Sequence, residues 1–143
     1  MTFVFQKRPY GPESTPEEIQ AIKDSVRLCE PGIVSWRELP VQSIYHLNLM
    51  EEKLIELTRD LPRFDLLIDL VEADAPGPEI RERLKSLFSG QSKLGKTAVF
   101  TGKNFMLNVA AKFVLGGSVG LRNFSVHRTL EEALEELHHG PPK

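Results

Sequence analysis

Residues 90–97 match the phosphate-binding loop formula G-x-x-x-x-G-K-[ST] at every position. In proteins that use this loop, a strand enters it and a helix leaves it, so that amides at the helix N-terminus face the phosphates. Here the order is reversed, because a helical pattern ends at Phe88 and a strand-like apolar run, residues 98–100, follows the motif. We therefore interpret residues 90–97 as an ordinary helix-to-strand connection.

Asp69, Thr101 and Lys103 form a second group of reactive side chains. An acid at the end of a central strand, with a Thr and a Lys near neighbouring strands, resembles the phospho-acceptor site of receiver domains. Such a site also needs acidic residues after the first strand, which hold a divalent ion through oxygen ligands. The chain has only Glu30 at that place, so the receiver interpretation is the least favoured of the hypotheses below.

Other catalytic and metal-binding patterns are weak in this sequence. No pair of histidines has zinc-ligand spacing together with a third ligand, and no serine is paired convincingly with a catalytic base. We predict no enzymatic activity, no metal and no cofactor. Cys29 is predicted to be a buried strand residue. Solvated or helix-capping roles are expected for the four histidines, which are His46, His127, His138 and His139.

Composition favours a cytoplasmic protein. The net charge of -2 gives no electrostatic reason to expect nucleic acid, whose binding proteins usually carry a basic face. A single cysteine excludes an internal disulfide and suits a reducing compartment. No apolar run approaches the roughly 20 residues of a membrane span. The first residues also lack the basic-then-apolar order of a secretion signal.

Any site must be positioned by the elements around residues 65–73, whose centre at 66–68 is an unbroken apolar run. Its short length, with Pro62 and Pro76 on either side, favours a strand over a helix. The absence of polar residues from its centre indicates burial on both faces. Such a strand needs helices above and below it, and the sequence has helical patterns on each side.

The rest of the chain alternates helical and strand patterns. Pro31 and Gly32 suit a type II turn between predicted strands at 26–30 and 33–39. This order predicts an α/β fold, with a mixed, mainly parallel sheet, an N-terminal antiparallel hairpin and helices on its faces. The later predicted elements are helices at 42–61, 77–88 and 104–115 and strands at 96–101 and 124–127. A last helix is predicted to start after Thr129, with Leu130, Ala133, Leu134 and Leu137 pointing inward.

Three segments are predicted: an N-terminal extension at 1–24, one domain at 25–138 and a tail at 139–143. The extension contains a short helix, in which Thr15 is the N-cap, Pro16 takes the first helical position and Glu18 completes a capping box.

The predicted helix at 104–115 is apolar around most of its circumference, and only a narrow polar stripe interrupts this surface. Such a helix is either deeply buried or presents an apolar patch to a partner or ligand. Ligands of parallel sheets favour the loops at the carboxyl ends of the strands. The predicted partner or ligand surface combines both features and consists of Asp74, Gly77, Thr101, Lys103, Asn104, Phe105, Asn108 and Lys112.

Three stretches carry a resemblance to a known family: residues 64–70, 96–102 and 124–134. Over about residues 25–138 the chain resembles the STAS domain, the fold of bacterial anti-sigma factor antagonists. It is similar above all to STAS-like proteins of unassigned role that are compared with the lipid-binding CRAL-TRIO fold. The resemblance implies a regulatory domain that binds proteins.

The resemblance also implies a phosphorylatable serine at the start of the helix after the central strand. The corresponding turn at 72–78 contains no hydroxyl group, and Asp74 offers a permanent charge near that helix N-terminus instead. The first hypothesis is therefore a non-catalytic protein-interaction domain without the phosphorylation switch, which binds a partner or itself as a homodimer. The second is a carrier of a small apolar or lipid-like ligand, held between the helix at 104–115 and the sheet. The receiver is the third.

Overall fold

Leu66, Leu67 and Ile68 lie in the central strand of a five-stranded sheet. In the computed structural model, which describes residues 3–103 and 123–139, all three side chains are buried. The strands run in sequence order across the sheet. They are β1 (Val26–Glu30), β2 (Ile33–Arg37), β3 (Phe64–Asp69), β4 (Leu94–Phe100) and β5 (Phe124–His127).

The first two strands form the predicted antiparallel hairpin, and all later neighbours are parallel. Gly32 has a φ of 81°, a left-handed conformation that glycine adopts without steric conflict. The predicted α/β fold with a mixed, mainly parallel sheet is confirmed. The central strand ends at Asp69 and not at residue 73, because the Asp69 carboxylate accepts a hydrogen bond from the Val71 amide and turns the chain.

Four helices lie in the described residues: α1 (Pro16–Lys23), α2 (Ile44–Thr58), α3 (Pro78–Ser89) and α4 (Leu130–His139). The capping box predicted for α1 is present, with Thr15 and Glu18 bonded to each other's backbone amides. The predicted helix at 104–115, with Asn104, Phe105, Asn108 and Lys112, lies outside the described residues.

Each face of the sheet packs against different helices. On the first face, buried strand residues such as Trp36 and Leu66 join side chains from α1, α2 and α3 in one core. On the second face, Leu67 and Ala98 pack against Ala133 and Leu137 of α4. On this face α4 packs mainly against β3, β4 and β5. It also reaches the turn end of the hairpin, where Ile33 joins this second core and His138 bonds to Glu30.

The predicted N-terminal extension contributes to the first core, since Tyr10 and Ile22 are both buried there. Two burial predictions are wrong. Cys29 is exposed because it lies in an edge strand beside the bulge between Leu28 and Glu30. Leu130, expected to point inward, is exposed at the start of α4. No helix in the described part of the chain is long and apolar enough to cross a membrane.

Candidate functional site

The two lysines of the loop-like motif cap helices. Lys93 Nζ donates to the carbonyl oxygens of Thr58 and Arg59 at the end of α2, at 3.1 Å each. Lys96 Nζ donates to Leu137 O at 3.0 Å and to Glu136 O at 3.3 Å, at the end of α4. A cation stabilises a helix C-terminus because the last carbonyls carry partial negative charge. These bonds account for both lysines without a phosphate ligand.

The glycines of the motif also have structural explanations. Gly90 is the C-cap of α3, and its amide donates to the Ser86 carbonyl. A Cβ atom at Gly95 would lie 2.6 Å from Asp65 Oδ1, which accepts a hydrogen bond from the Lys96 amide. The motif therefore runs from the end of α3 into β4. The prediction of a helix-to-strand connection at 90–97 is confirmed.

A buried polar network, which the sequence analysis missed, links the end of β2 to the start of α2. The Ser43 amide donates to His46 Nδ1 at 2.8 Å, so the ring proton lies on Nε2. His46 Nε2 then donates to Glu38 Oε1 at 3.0 Å, and Trp36 Nε1 donates to Glu38 Oε2 at 2.9 Å. The Ser43 hydroxyl donates to the Tyr10 carbonyl at 2.8 Å.

This network contains a serine, a histidine and an acid in hydrogen-bonding order, but its bonding is that of a helix cap. The Ser43 hydroxyl proton is engaged by a backbone carbonyl, and the His46 side chain is fully buried. His46 occupies the position that Glu or Gln takes in a common capping box. The spacing Ser43-x-x-His46 was the signal in the sequence. Of the two roles expected for the histidines, solvated or capping, His46 has the capping role and is not solvated.

The predicted receiver-like residues are bonded mainly to backbone. Asp69 Oδ1 accepts a hydrogen bond from the Val71 amide. The buried Thr101 hydroxyl donates a hydrogen bond to the His127 carbonyl at 3.4 Å. Lys103 is exposed. Glu30 is paired with Ile33 in the hairpin, and Ile33 is paired with Asp65, so Glu30 lies at the opposite end of the sheet from Asp69. The antiparallel direction of β1 is the reason for this separation.

The turn at residues 70–77, between β3 and α3, is exposed but firmly held. Arg37, at the end of β2, forms an ion pair with Glu72. Gln42 Nε2 donates to the Asp74 carbonyl at 2.9 Å, and the Asp74 amide donates to Pro40 O at 3.3 Å. Gly77 follows as the N-cap of α3. The structure therefore brings predicted site residues Asp74 and Gly77 into one exposed turn, tied to the segment after β2.

A cavity of about 620 Å³ lies between the sheet and α1, and no residue of α4 lines it. Arg27, Ser35, Arg37 and Asp69 line it from the three strands β1, β2 and β3. The helix contributes one face of α1, and the N-terminal segment contributes two aromatic rings. These remaining lining residues are Glu17, Gln20, Ala21, Asp24, Ser25, Phe3 and Phe5. Asp69 of the receiver hypothesis lines the cavity, whereas the described residues of the predicted partner surface, Asp74, Gly77, Thr101 and Lys103, do not.

No protein-family model, curated protein sequence or solved structure matches this chain. The STAS resemblance therefore stays a prediction, and function has to be inferred from the chain's own surface. Two surfaces stand out: the exposed turn at 70–77 and the polar cavity beside α1. In the described residues, no cluster of three or more His, Cys, Asp or Glu side chains has an arrangement able to hold a metal ion.

Proposed function

We propose that this chain is a non-catalytic, STAS-like regulatory domain that binds a protein partner through the turn at 70–77. The proposal rests on one observation: the side chains of this turn are exposed, while hydrogen bonds and an ion pair hold its backbone in place. Val71 is 49% exposed, and Glu72 and Asp74 are exposed beside it. Because the ion pair with Arg37 and the two bonds of Asp74 hold the turn, binding loses little conformational entropy there.

The chemistry of the turn suggests what kind of partner fits it. Val71 offers an apolar side chain, which lies beside the backbone of Gly102 in the loop after β4. Glu72 and Asp74 in the turn and Glu79 in the first turn of α3 add exposed carboxylates. A partner surface with a small apolar pocket and surrounding Lys or Arg side chains would complement both features. The predicted contribution of residues 104–115 to this surface stays a prediction.

The bonding of the neighbouring residues supports binding over bond-making chemistry. The Thr101 hydroxyl is buried against backbone carbonyls, and the Glu38 carboxylate is buried against Trp36 and His46. Neither group is presented together with Asp69 to a reacting molecule. The proposal includes the predicted cytoplasmic location, since a lone exposed cysteine suits a reducing compartment.

Charge reversal in the turn tests the proposal. Tagged wild-type protein and the Asp74→Lys variant are compared in the native host by quantitative affinity purification. The Glu135→Lys variant, at an exposed position of α4, serves as the matched control. We expect a specific partner that wild type and control retain and that Asp74→Lys loses. Calorimetry with the purified pair should show an affinity loss of about tenfold or more, as for a disrupted charged contact.

Self-association is tested in parallel by sedimentation velocity over a range of protein concentrations. A homodimer that dissociates in Asp74→Lys but not in Glu135→Lys would identify the partner as a second copy. If wild type, Asp74→Lys and Glu135→Lys all retain the same bound proteins, the turn is not the binding surface. A monomer without any specific partner would contradict the interaction role.

The two other hypotheses have less support. The proposed site of an apolar or lipid-like ligand lies against residues 104–115, and the described cavity beside α1 is lined by charged groups instead. Native mass spectrometry of the purified protein tests the carrier hypothesis through any co-purified lipid. Incubation with acetyl phosphate and Mg²⁺ tests the receiver hypothesis through phosphorylation of Asp69.

A further inference from the structure

We infer that the cavity beside α1 is a binding site for a small zwitterion with an aromatic side chain, such as a free aromatic amino acid. None of the residues 70–77 of the turn lines this cavity, although Arg37 contacts both, and the inference does not depend on the protein partner. The cavity volume of about 620 Å³ is within the range of small-molecule sites in proteins. It suits a ligand of amino-acid size together with ordered water.

Both guanidinium groups of the cavity lie on the sheet, where the Asp69 carboxylate is the register partner of Arg37, and the other two carboxylates lie at the helix. Arg27 and Ser35 are cross-strand neighbours on β1 and β2, so the Arg27 guanidinium and the Ser35 hydroxyl belong to the sheet surface. Glu17 and Asp24 come from the helix, at positions seven residues apart on one face of α1. A ligand carboxylate is favoured near Arg27 on the sheet, and a ligand ammonium is favoured near Glu17 on the helix.

The number of charged groups argues against a simple anion. The lining contains three carboxylates and only two guanidinium groups, and Arg37 is already paired with Glu72. A phosphate or sulfate would therefore meet net repulsion, whereas a purely cationic ligand would leave Arg27 without a counter-ion. A zwitterion provides a partner for both signs in one molecule.

Arg27 and Glu17 are the groups most available for this role. Among the described residues, no ion pair with either side chain is found, and both residues are exposed. Asp24, in contrast, already accepts a hydrogen bond from Gln20 at 2.9 Å and lies 3.9 Å from Lys53 Nζ. The Arg27 guanidinium is suited to a carboxylate because it presents two parallel N–H donors.

The aromatic side of the cavity is held in place by ring contacts. Phe3 and Phe5 pack edge to face, with ring centroids 5.1 Å apart, and Phe5 packs in the same way against Tyr10 at 6.0 Å. Tyr10 is buried in the first core and anchors this group. An aromatic ligand ring would extend the same packing, since edge-to-face contacts are favourable between rings.

Three compounds that share a phenylethyl group separate the contributions of the two charges. L-Phenylalanine carries both charges, 3-phenylpropionate carries only the carboxylate, and 2-phenylethylamine carries only the ammonium. Each is titrated into the full chain by isothermal calorimetry. We expect L-phenylalanine to bind about tenfold or more tightly than either analogue, because each charged hydrogen bond contributes more than the roughly 1.4 kcal/mol of one decade in Kd.

Two variants assign the charges to residues. Arg27→Gln is expected to lower the affinity for L-phenylalanine and for 3-phenylpropionate by about tenfold. The affinity for 2-phenylethylamine should stay the same. Glu17→Gln should lower the affinity for L-phenylalanine and for 2-phenylethylamine and leave the affinity for 3-phenylpropionate the same. Arg59→Gln, at an exposed position at the end of α2, is the control and should bind all three compounds like wild type. Far-UV circular dichroism verifies that each variant is folded.

The inference is overturned by any of three results. If L-phenylalanine shows no saturable binding at concentrations up to roughly 10 mM, the cavity does not recognise it. Equal affinities for the zwitterion and one analogue would remove the argument for two charges. Binding that is unchanged in both Arg27→Gln and Glu17→Gln would place the ligand elsewhere on the protein.

Discussion

Arg37 at the end of β2 forms an ion pair with Glu72 in the turn after β3. Arg37 is also the register partner of Asp69 across the parallel pair β2 and β3, and both residues line the cavity beside α1. One guanidinium therefore contributes to both surfaces described above. Its ion pair with Glu72 links β2 to the exposed turn, and the same residue lines the cavity.

The first prediction concerns the contribution of this ion pair to stability. Glu72→Gln should lower the free energy of unfolding by less than about 1 kcal/mol, because both side chains are half-exposed and water screens their attraction. Urea denaturation compares it with Glu56→Gln, an exposed control on α2. A loss above roughly 2 kcal/mol would show that the pair has a structural role beyond an exposed contact.

The second prediction concerns the buried network around His46. His46→Ala should lower the free energy of unfolding by about 3 kcal/mol or more, because it leaves the buried Glu38 carboxylate without one of its donors. His139→Ala, at the exposed end of α4, is the control and should change stability by less than about 0.5 kcal/mol. Urea denaturation measures both variants. Equal stability of the two would mean that the network contributes nothing to folding.

The third prediction separates helix capping from nucleotide binding. Lys96→Ala should destabilise the protein by about 1 kcal/mol, because α4 loses the cation at its last carbonyls. Lys93→Ala should have a similar effect through α2. Neither wild type nor variant should gain thermal stability from MgATP or MgGTP. A nucleotide-induced stabilisation of wild type that Lys96→Ala abolishes would restore the nucleotide-site interpretation.

The fourth prediction concerns Cys29. Partial burial, followed by the charge of Glu30, raises the pKa of the Cys29 thiol above its ordinary value. Less thiolate is therefore present at pH 8, and iodoacetamide should alkylate Cys29 more slowly than a free cysteine, although the residue is exposed.

Mass spectrometry follows the alkylation of Cys29 over a range of pH. The rate should continue to rise above the pH at which the rate for free cysteine levels off. Because the folded state favours the neutral thiol, stability from this group is present below the ordinary thiol pKa and is lost as the pH rises through the raised value. Alkylation faster than that of free cysteine at pH 8 would contradict the raised pKa.

Local sequence signals predicted the elements because they act over a few residues. Thr15-x-x-Glu18 predicted the start of α1, and Pro31 with Gly32 predicted the hairpin turn, since capping and left-handed backbone depend on adjacent residues only. The order of helical and strand patterns likewise predicted the helix-to-strand connection at residues 90–97.

Predictions that depended on distant residues were less successful. The burial of Cys29 was wrong, because the exposure of a strand residue depends on which strand or helix covers it. The candidate site was predicted only in part, since Asp74 and Gly77 share the turn, whereas of the residues that line the cavity only Asp69 had been singled out, and for a different role. The Glu38–His46 pair was not foreseen, as eight positions and a change from strand to helix separate its members.

The sequence by itself determined the alternation of helices and strands, the hairpin and the buried central strand. These features follow from hydrophobic periodicity and from turn and capping residues that are close in the chain. Only the tertiary structure decided which face of the sheet α4 covers, and hence that Arg27, Arg37 and Asp69 meet α1 and the N-terminal rings in one cavity. The physical reason is that such a site is assembled by long-range packing, to which no local pattern in the sequence corresponds.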